Sequence, residues 1–132
     1  MTPNNAVFRQ FFKECLVMTK DTYDYIPDAS AKYPFIYIGE SSNISNNNSE
    51  LMGDIRQTIH VYGELKKRSR IDDIVASIHD KIICLTSAYD YNIQIDRINE
   101  RTSPDNSDTT PLLHTVLDVY LTYTKKENKW QN

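Results

Sequence analysis

The alternation of apolar and polar positions is clearest from Ile55 to Tyr62, IRQTIHVY, which has the period of two expected of a half-buried strand. Gly63 and the basic run Lys66-Lys67-Arg68 interrupt it, and from Ile71 the period becomes that of a helix. Ile71, Ile74, Val75, Ile78, Ile82 and Leu85 fall within about a third of the circumference at ~100° per residue. Ser69, with Asp72 three residues on, predicts a capping-box start in which Asp72-Asp73 complement the helix dipole. Ala76, His79 and Ile83 form a second, weaker strip, either a widened core face or a subunit contact.

The rest of the chain is read the same way. Thr2 caps a predicted helix to Met18, with Pro3 in its first turn and Val7, Phe8, Phe11, Phe12, Cys15, Leu16 and Met18 on its apolar half. Thr22–Ile26 reads as a short strand, and Phe35–Gly39 as a strand apolar on both faces and hence interior. Glu40–Gly53 is a polar loop in which Asn46-Asn47-Asn48 tolerate turn conformations. It is either a disordered tip or a projecting loop that orders on a partner. Tyr89–Asp96 alternates again, with Tyr89, Tyr91, Ile93 and Ile95 on one face. A second polar loop, Glu100–Thr110, precedes the last strand, Leu112–Tyr123. There Leu113, Leu117, Val119, Leu121 and Tyr123 share a face, while Val116 and Tyr120 make the other partly apolar.

The order α-β-β-β-α-β-β predicts an α+β fold: a mainly antiparallel sheet with two helices on one face and two long polar hairpin loops projecting from the same edge. It predicts one domain over residues 1–124, then a charged tail, 125–132, anchored only by Trp130. Helices can cover only one side of strands apolar on both, so the face bearing Val116 and Tyr120 is expected to meet a neighbouring subunit.

Composition narrows the chemistry. The 132 residues carry 15 basic and 18 acidic side chains, a net charge of −3, which argues against a dedicated nucleic-acid binder. No window has the ~18 apolar residues of a membrane span, and the N-terminal stretch is too charged for a secretory signal, so intracellular synthesis and no membrane partner are expected. Cys15 and Cys84 have no CxxC or His at metal spacing, and both are expected on helices as reduced, dispensable thiols. His60, His79 and His114 belong to no recognised nucleophile or metal motif, and no cofactor, metal or catalytic residue is expected. The basic cluster Lys66, Lys67, Arg68 and Arg70 is either a solvated turn or a phosphate contact.

One resemblance covers Pro3 to about Tyr123. An amphipathic helix, the strand Tyr33–Glu40 (YPFIYIGE), a polar loop, the strand Ile55–Tyr62 and the helix Ile71–Leu85, with two more strands, resemble the tail-terminator (tail-completion) proteins of long-tailed bacteriophages. The resemblance implies a non-enzymatic virion protein, assembled in the bacterial host cytoplasm. Such a protein caps the tail tube at its final length and joins tail to head as a hexameric ring. Its implied partners are itself, the major tail tube protein, the head-connector or neck proteins, and DNA that traverses the channel without sequence-specific contact. No residue-level site transfers with the resemblance, but in such a ring the basic turn Lys66–Arg70 and the two polar loops, Asn46, Asn47 and Asn48 among them, are candidates for the channel wall or the tube-facing rim. The alternatives are a head–tail joining protein of the connector, or a small protein- or nucleic-acid-binding module.

Overall fold

The computed structural model describes residues 1–28 and 31–127. Two helices, α1 (Pro3–Met18) and α2 (Arg68–Ile83), pack on one face of a six-stranded sheet. The strands are β1 (Thr22–Tyr23), β2 (Phe35–Asn43), β3 (Met52–Glu64), β4 (Ser87–Ala88), β5 (Tyr91–Asp105) and β6 (Leu112–Lys125), and they lie in the order β1-β2-β3-β6-β5-β4. Only β1–β2 is parallel. The expected α+β class and element order hold, with the two-residue β4 added.

Helix α1 starts where the sequence says it should. The Thr2 hydroxyl accepts from the Asn5 amide, and Pro3 occupies the first turn. Ala6, Val7, Phe11 and Cys15 are buried against the sheet, while Leu16 and Val17 are exposed. Helix α2 does not use the Ser69 cap. A 3₁₀ turn, Leu65–Lys67, feeds directly into it, Lys67 is the capping position, and no side chain caps the first amides. Asp72 and Asp73 therefore fall beyond the first turn. Ile71, Val75, Ile78 and Ile82 are buried as the periodicity requires. Ala76 and Ile83 are exposed, so the second strip does not widen the core.

Gly63 explains how α2 comes so close. A Cβ there would lie 2.5 Å from Cγ1 of Ile71, so only glycine lets the first turn of the helix sit on β3. Cys84 caps α2 and is exposed, rather than lying on the helix; Cys15 is buried, and that burial, with the charge of Glu14, pushes its thiol up to about 12 against the pull of Lys81.

Several strands outrun their sequence signal. TYDYI keeps only Thr22–Tyr23. β3 extends on both sides of Ile55–Tyr62, and β2 runs into the polar stretch as far as Asn43. β5 starts at Tyr91, because Tyr89 sits in the β4–β5 turn with φ 53°, and it continues through Glu100–Asp105, where the sequence pattern predicts a loop. Those outer residues pair with β6 across a bulge at Ile95/Arg97. The pairing is by backbone, so it left no apolar alternation to read.

The two hairpin tips lie at opposite ends of the sheet, not on the same edge. β3 and β6 pair antiparallel along their whole length, from Met52↔Thr124 to Glu64↔Leu112. This register puts the β2–β3 tip at one end. The β5–β6 turn lies at the other, beside the basic turn, where the Leu65 amide donates to the Pro111 carbonyl.

Candidate functional site

The sheet face away from the helices carries Phe35 and Tyr37 of β2; Arg56, Thr58, His60 and Tyr62 of β3; His114, Val116, Asp118 and Tyr120 of β6; and Arg97 and Arg101 of β5. Registers such as Tyr37↔His60, Tyr62↔His114 and Arg56↔Tyr120↔Arg97 set these side chains in rows. A ladder of flat rings crosses it. Tyr33 stacks on Phe35, Phe35 on Tyr62, Tyr62 on His114 with centroids 4.1 Å apart, His114 on His60, and His60 on Tyr37. Gly39 leaves room for the edge of His60, since a Cβ there would lie 2.9 Å from its ring.

Polar contacts tie the rings together. His60 Nε2 lies 2.7 Å from Glu40 Oε1, and His60 Nδ1 lies 2.8 Å from His114 Nε2. One proton lies between the two imidazoles, and which ring donates depends on tautomer. Beyond them the Thr58 hydroxyl donates to Asp118, which Arg101 also approaches at 3.5 Å, and the Arg97 guanidinium sits 3.8 Å over the Tyr120 ring. The Tyr33 hydroxyl donates to Asp108, pinning the β5–β6 turn; burial and that bond push it up to about 12.

These contacts change the expected picture of this face. Phe35, Leu112 and Val116 are buried although no helix covers them, Val116 being 7% exposed, because the chain's own longer side chains close over them. What the face offers is ring edges, guanidinium groups and hydroxyls, with Tyr120 half-buried among them. That is closer to the mixed character of a separable interface than to a bare core surface.

One buried polar group holds the geometry of β2. Gln57, on the helix side, is fully buried, and the two N–H groups of its Nε2 are shared among the carbonyls of Gly39, Glu40 and Thr58, at 3.1, 3.2 and 3.1 Å. The β2–β3 register shifts between Ile38 and Ser41, at this point. The amide thus serves the carbonyls that the bulge removes from the ladder, and the bulge aims Glu40 at His60.

The fold is shared with a virion chain. A chain from the solved virion of a native gene transfer agent particle superposes with TM-score 0.59 at 12% identity, covering 89% of this chain and 91% of that one. A second solved chain, which carries no functional description, gives TM-score 0.50 at 15% identity over 94% of this chain and 93% of its own. At these identities the likeness is one of fold. No family model and no curated protein sequence matches the chain.

The residues singled out from the sequence do not form one cluster. Lys66, Lys67, Arg68 and Arg70 are all exposed at the end shared with the β5–β6 turn, with Lys66 3.6 Å from Glu64. Asn46, Asn47 and Asn48 sit in the β2–β3 tip at the other end, so the two groups cannot line one rim. Asn46 and Asn47 are exposed, whereas Asn48 folds inward and bonds the backbone of Asp54 with both its Nδ2 and its Oδ1. Val116 and Tyr120 lie together on the open face. Among the described residues no group of three or more His, Cys, Asp or Glu stands at metal-holding distance, and no helix is long and apolar enough to cross a membrane. Trp130 lies outside the described residues.

The sequence alone does not reveal the ring ladder or the Gln57 staple. Their members are visible as alternate residues of separate strands, but only the register brings His60 to His114 or Gln57 to Gly39.

The ladder predicts a pH dependence. His114 is held below its ordinary 6.5, first by burial and then by the positive charge of His60, with Arg101 adding to the effect and Asp105 and Glu40 opposing it. The unfolded chain therefore takes up this proton first. Stability is complete above about pH 6.5 and declines as pH falls from there toward the folded pKa. The urea midpoint is expected to fall between about pH 7 and pH 5, and His114→Gln is expected to flatten that part of the profile.

Proposed function

We propose that this chain is a structural protein of a phage-like virion, which caps the tail tube at its final length and forms the ring that joins tail to head. The observation that carries this reading is the fold likeness to a virion chain over nearly the whole of both chains. The tail-terminator pattern from Pro3 to Tyr123 supports it and supplies the finer role.

The sheet suits assembly in one respect. Its helix-free face presents a pre-ordered array of rings and guanidinium groups, so covering it costs little side-chain ordering. In the proposed ring, taken as hexameric, a neighbouring subunit covers this face around Tyr120 and Val116. The exposed basic end, Lys66 to Arg70, meets the tail tube or the neck, and Asn46 and Asn47 belong to the opposite side. DNA passes through the channel without sequence-specific contact. The role is non-enzymatic and placed in the tail or neck of the virion, after assembly in the host cytoplasm.

Deleting the gene in the phage genome that encodes it tests the role. Tails of unregulated length without attached heads are expected, restored by the gene in trans. Tails of normal length joined to heads would overturn the reading, and normal-length tails that fail to join would assign the chain to the neck instead.

A further inference from the structure

Asn46 and Asn47 of the β2–β3 tip are exposed, but other polar groups there bond within the tip: Asn48 grips Asp54, the Ser49 hydroxyl accepts from the amides of Leu51 and Met52, and Tyr123 donates to the Ser49 carbonyl. The Lys125 amide also donates to the Leu51 carbonyl, at 2.7 Å. Its apolar side chains turn outward, Ile44, Leu51 and Met52 being 47%, 59% and 58% exposed. A loop tied down by its own bonds thus presents three large apolar groups, with the acidic Glu50 exposed among them.

On the outward face of α1 lies a groove of about 500 Å³, floored by Phe8, Phe12, Leu16 and Val17 and flanked by Tyr89. That volume is within the roughly 300–1,000 Å³ of pockets that hold sizeable ligands. Phe8 and Phe12 stack along its floor, and Val17 is 71% exposed. Arg9 and Lys13 stand on its rim, against the single acid Asp24. Knob and groove therefore match in polarity and in sign.

We propose that the β2–β3 tip of one copy docks in the α1 groove of a second copy, with Leu51 and Met52 on the phenylalanine floor and Glu50 between Arg9 and Lys13. The two patches are different parts of one chain, so the contact is head-to-tail and can close into a ring. It deepens the ring reading above and rests on that reading only for closure.

The test is sedimentation of the full chain up to about 1 mM, the weak limit of specific association. The parent is expected to self-associate with concentration. Glu50→Lys is expected to weaken this at least tenfold, Arg9→Glu/Lys13→Glu to do the same, and the triple variant carrying all three changes to recover it. Leu51→Asp/Met52→Asp is expected to abolish it. All these positions are exposed, so circular dichroism should match the parent. A parent that stays monomeric throughout, a Glu50→Lys variant that associates as the parent does, or a triple variant that fails to recover would each overturn the proposal. Recovery by the triple variant in a protein that never caps tail tubes would leave the docking standing and remove the terminator role. Tubes capped equally well by Glu50→Lys would do the reverse.

Discussion

Tyr120→Glu is expected to fold as the parent does and to lose the proposed ring assembly, whereas Val116→Asp is expected to fail at folding. Both residues are on the open face of β6, and from the sequence a charge at either seemed equivalent. The register separates them. Arg56 and Arg97 lie opposite Tyr120 on the flanking strands, so a carboxylate there lands between two guanidinium groups. It then deprives the surface of its central ring and draws Arg97 out of its stacked position. Losing a central aromatic anchor costs an interface about 2 kcal/mol or more, roughly 30-fold in affinity. Val116 is 7% exposed between His60 and Arg101, and a carboxylate there is enclosed beside groups already engaged elsewhere, His60 with Glu40 and His114 and Arg101 with Asp118. An unpaired buried charge costs roughly 3–5 kcal/mol, a large share of the ~5–15 kcal/mol that holds such a domain. Chemical denaturation and assembly on tail tubes, read on both variants, check this. A Tyr120→Glu protein that assembles with parental affinity would show that the open face is not an interface.

Gln57→Leu is expected to cost about 2–3 kcal/mol, although its side chain is replaced by one of similar size and greater hydrophobicity. The substitution leaves the part-buried Gly39 and Glu40 carbonyls beside an apolar group, where a polar atom cut off from water costs roughly 1–3 kcal/mol. Part of that is offset by burial of apolar surface and by removal of Gln57 Oε1, which has no partner. The bulge is also what carries Glu40 to His60, so the histidine contact should loosen with it. Urea unfolding gives the stability loss, and the His114 titration gives the loosening. A change under about 0.5 kcal/mol would mean that the bulge holds without its staple.

What could be read from the sequence follows from what each element rests on. α1 and the buried stripe of α2 were legible because they are set by local periodicity and, for α1, by the Thr2 and Pro3 signals. The faces of β6 were legible for the same reason, since Leu117 and Val119 point to the helices and Val116 and Tyr120 do not. The outer half of β5 was not, because Glu100 to Asp105 are held by hydrogen bonds to β6 and bury almost no side chain. The start of α2 was misplaced because Gly63 lets Ile71 down onto β3 before Ser69 has any capping role. The two ends of the sheet could not be assigned either, since whether β3 pairs with β6, and in which register, is a non-local choice. The candidate site suffered most. Lys66 to Arg70 and Asn46 to Asn48 are both polar breaks in the pattern, the first between a strand and a helix and the second between two strands, and the antiparallel register sends them to opposite ends.

The most direct test of the central claim is electron microscopy of the purified full chain mixed with tail tubes of the phage-like particle proposed for it. A closed ring, hexameric, is expected on one end of the tubes, halting their further growth. Tubes that grow on unchanged, with no ring at either end and the protein remaining free in solution, would contradict it.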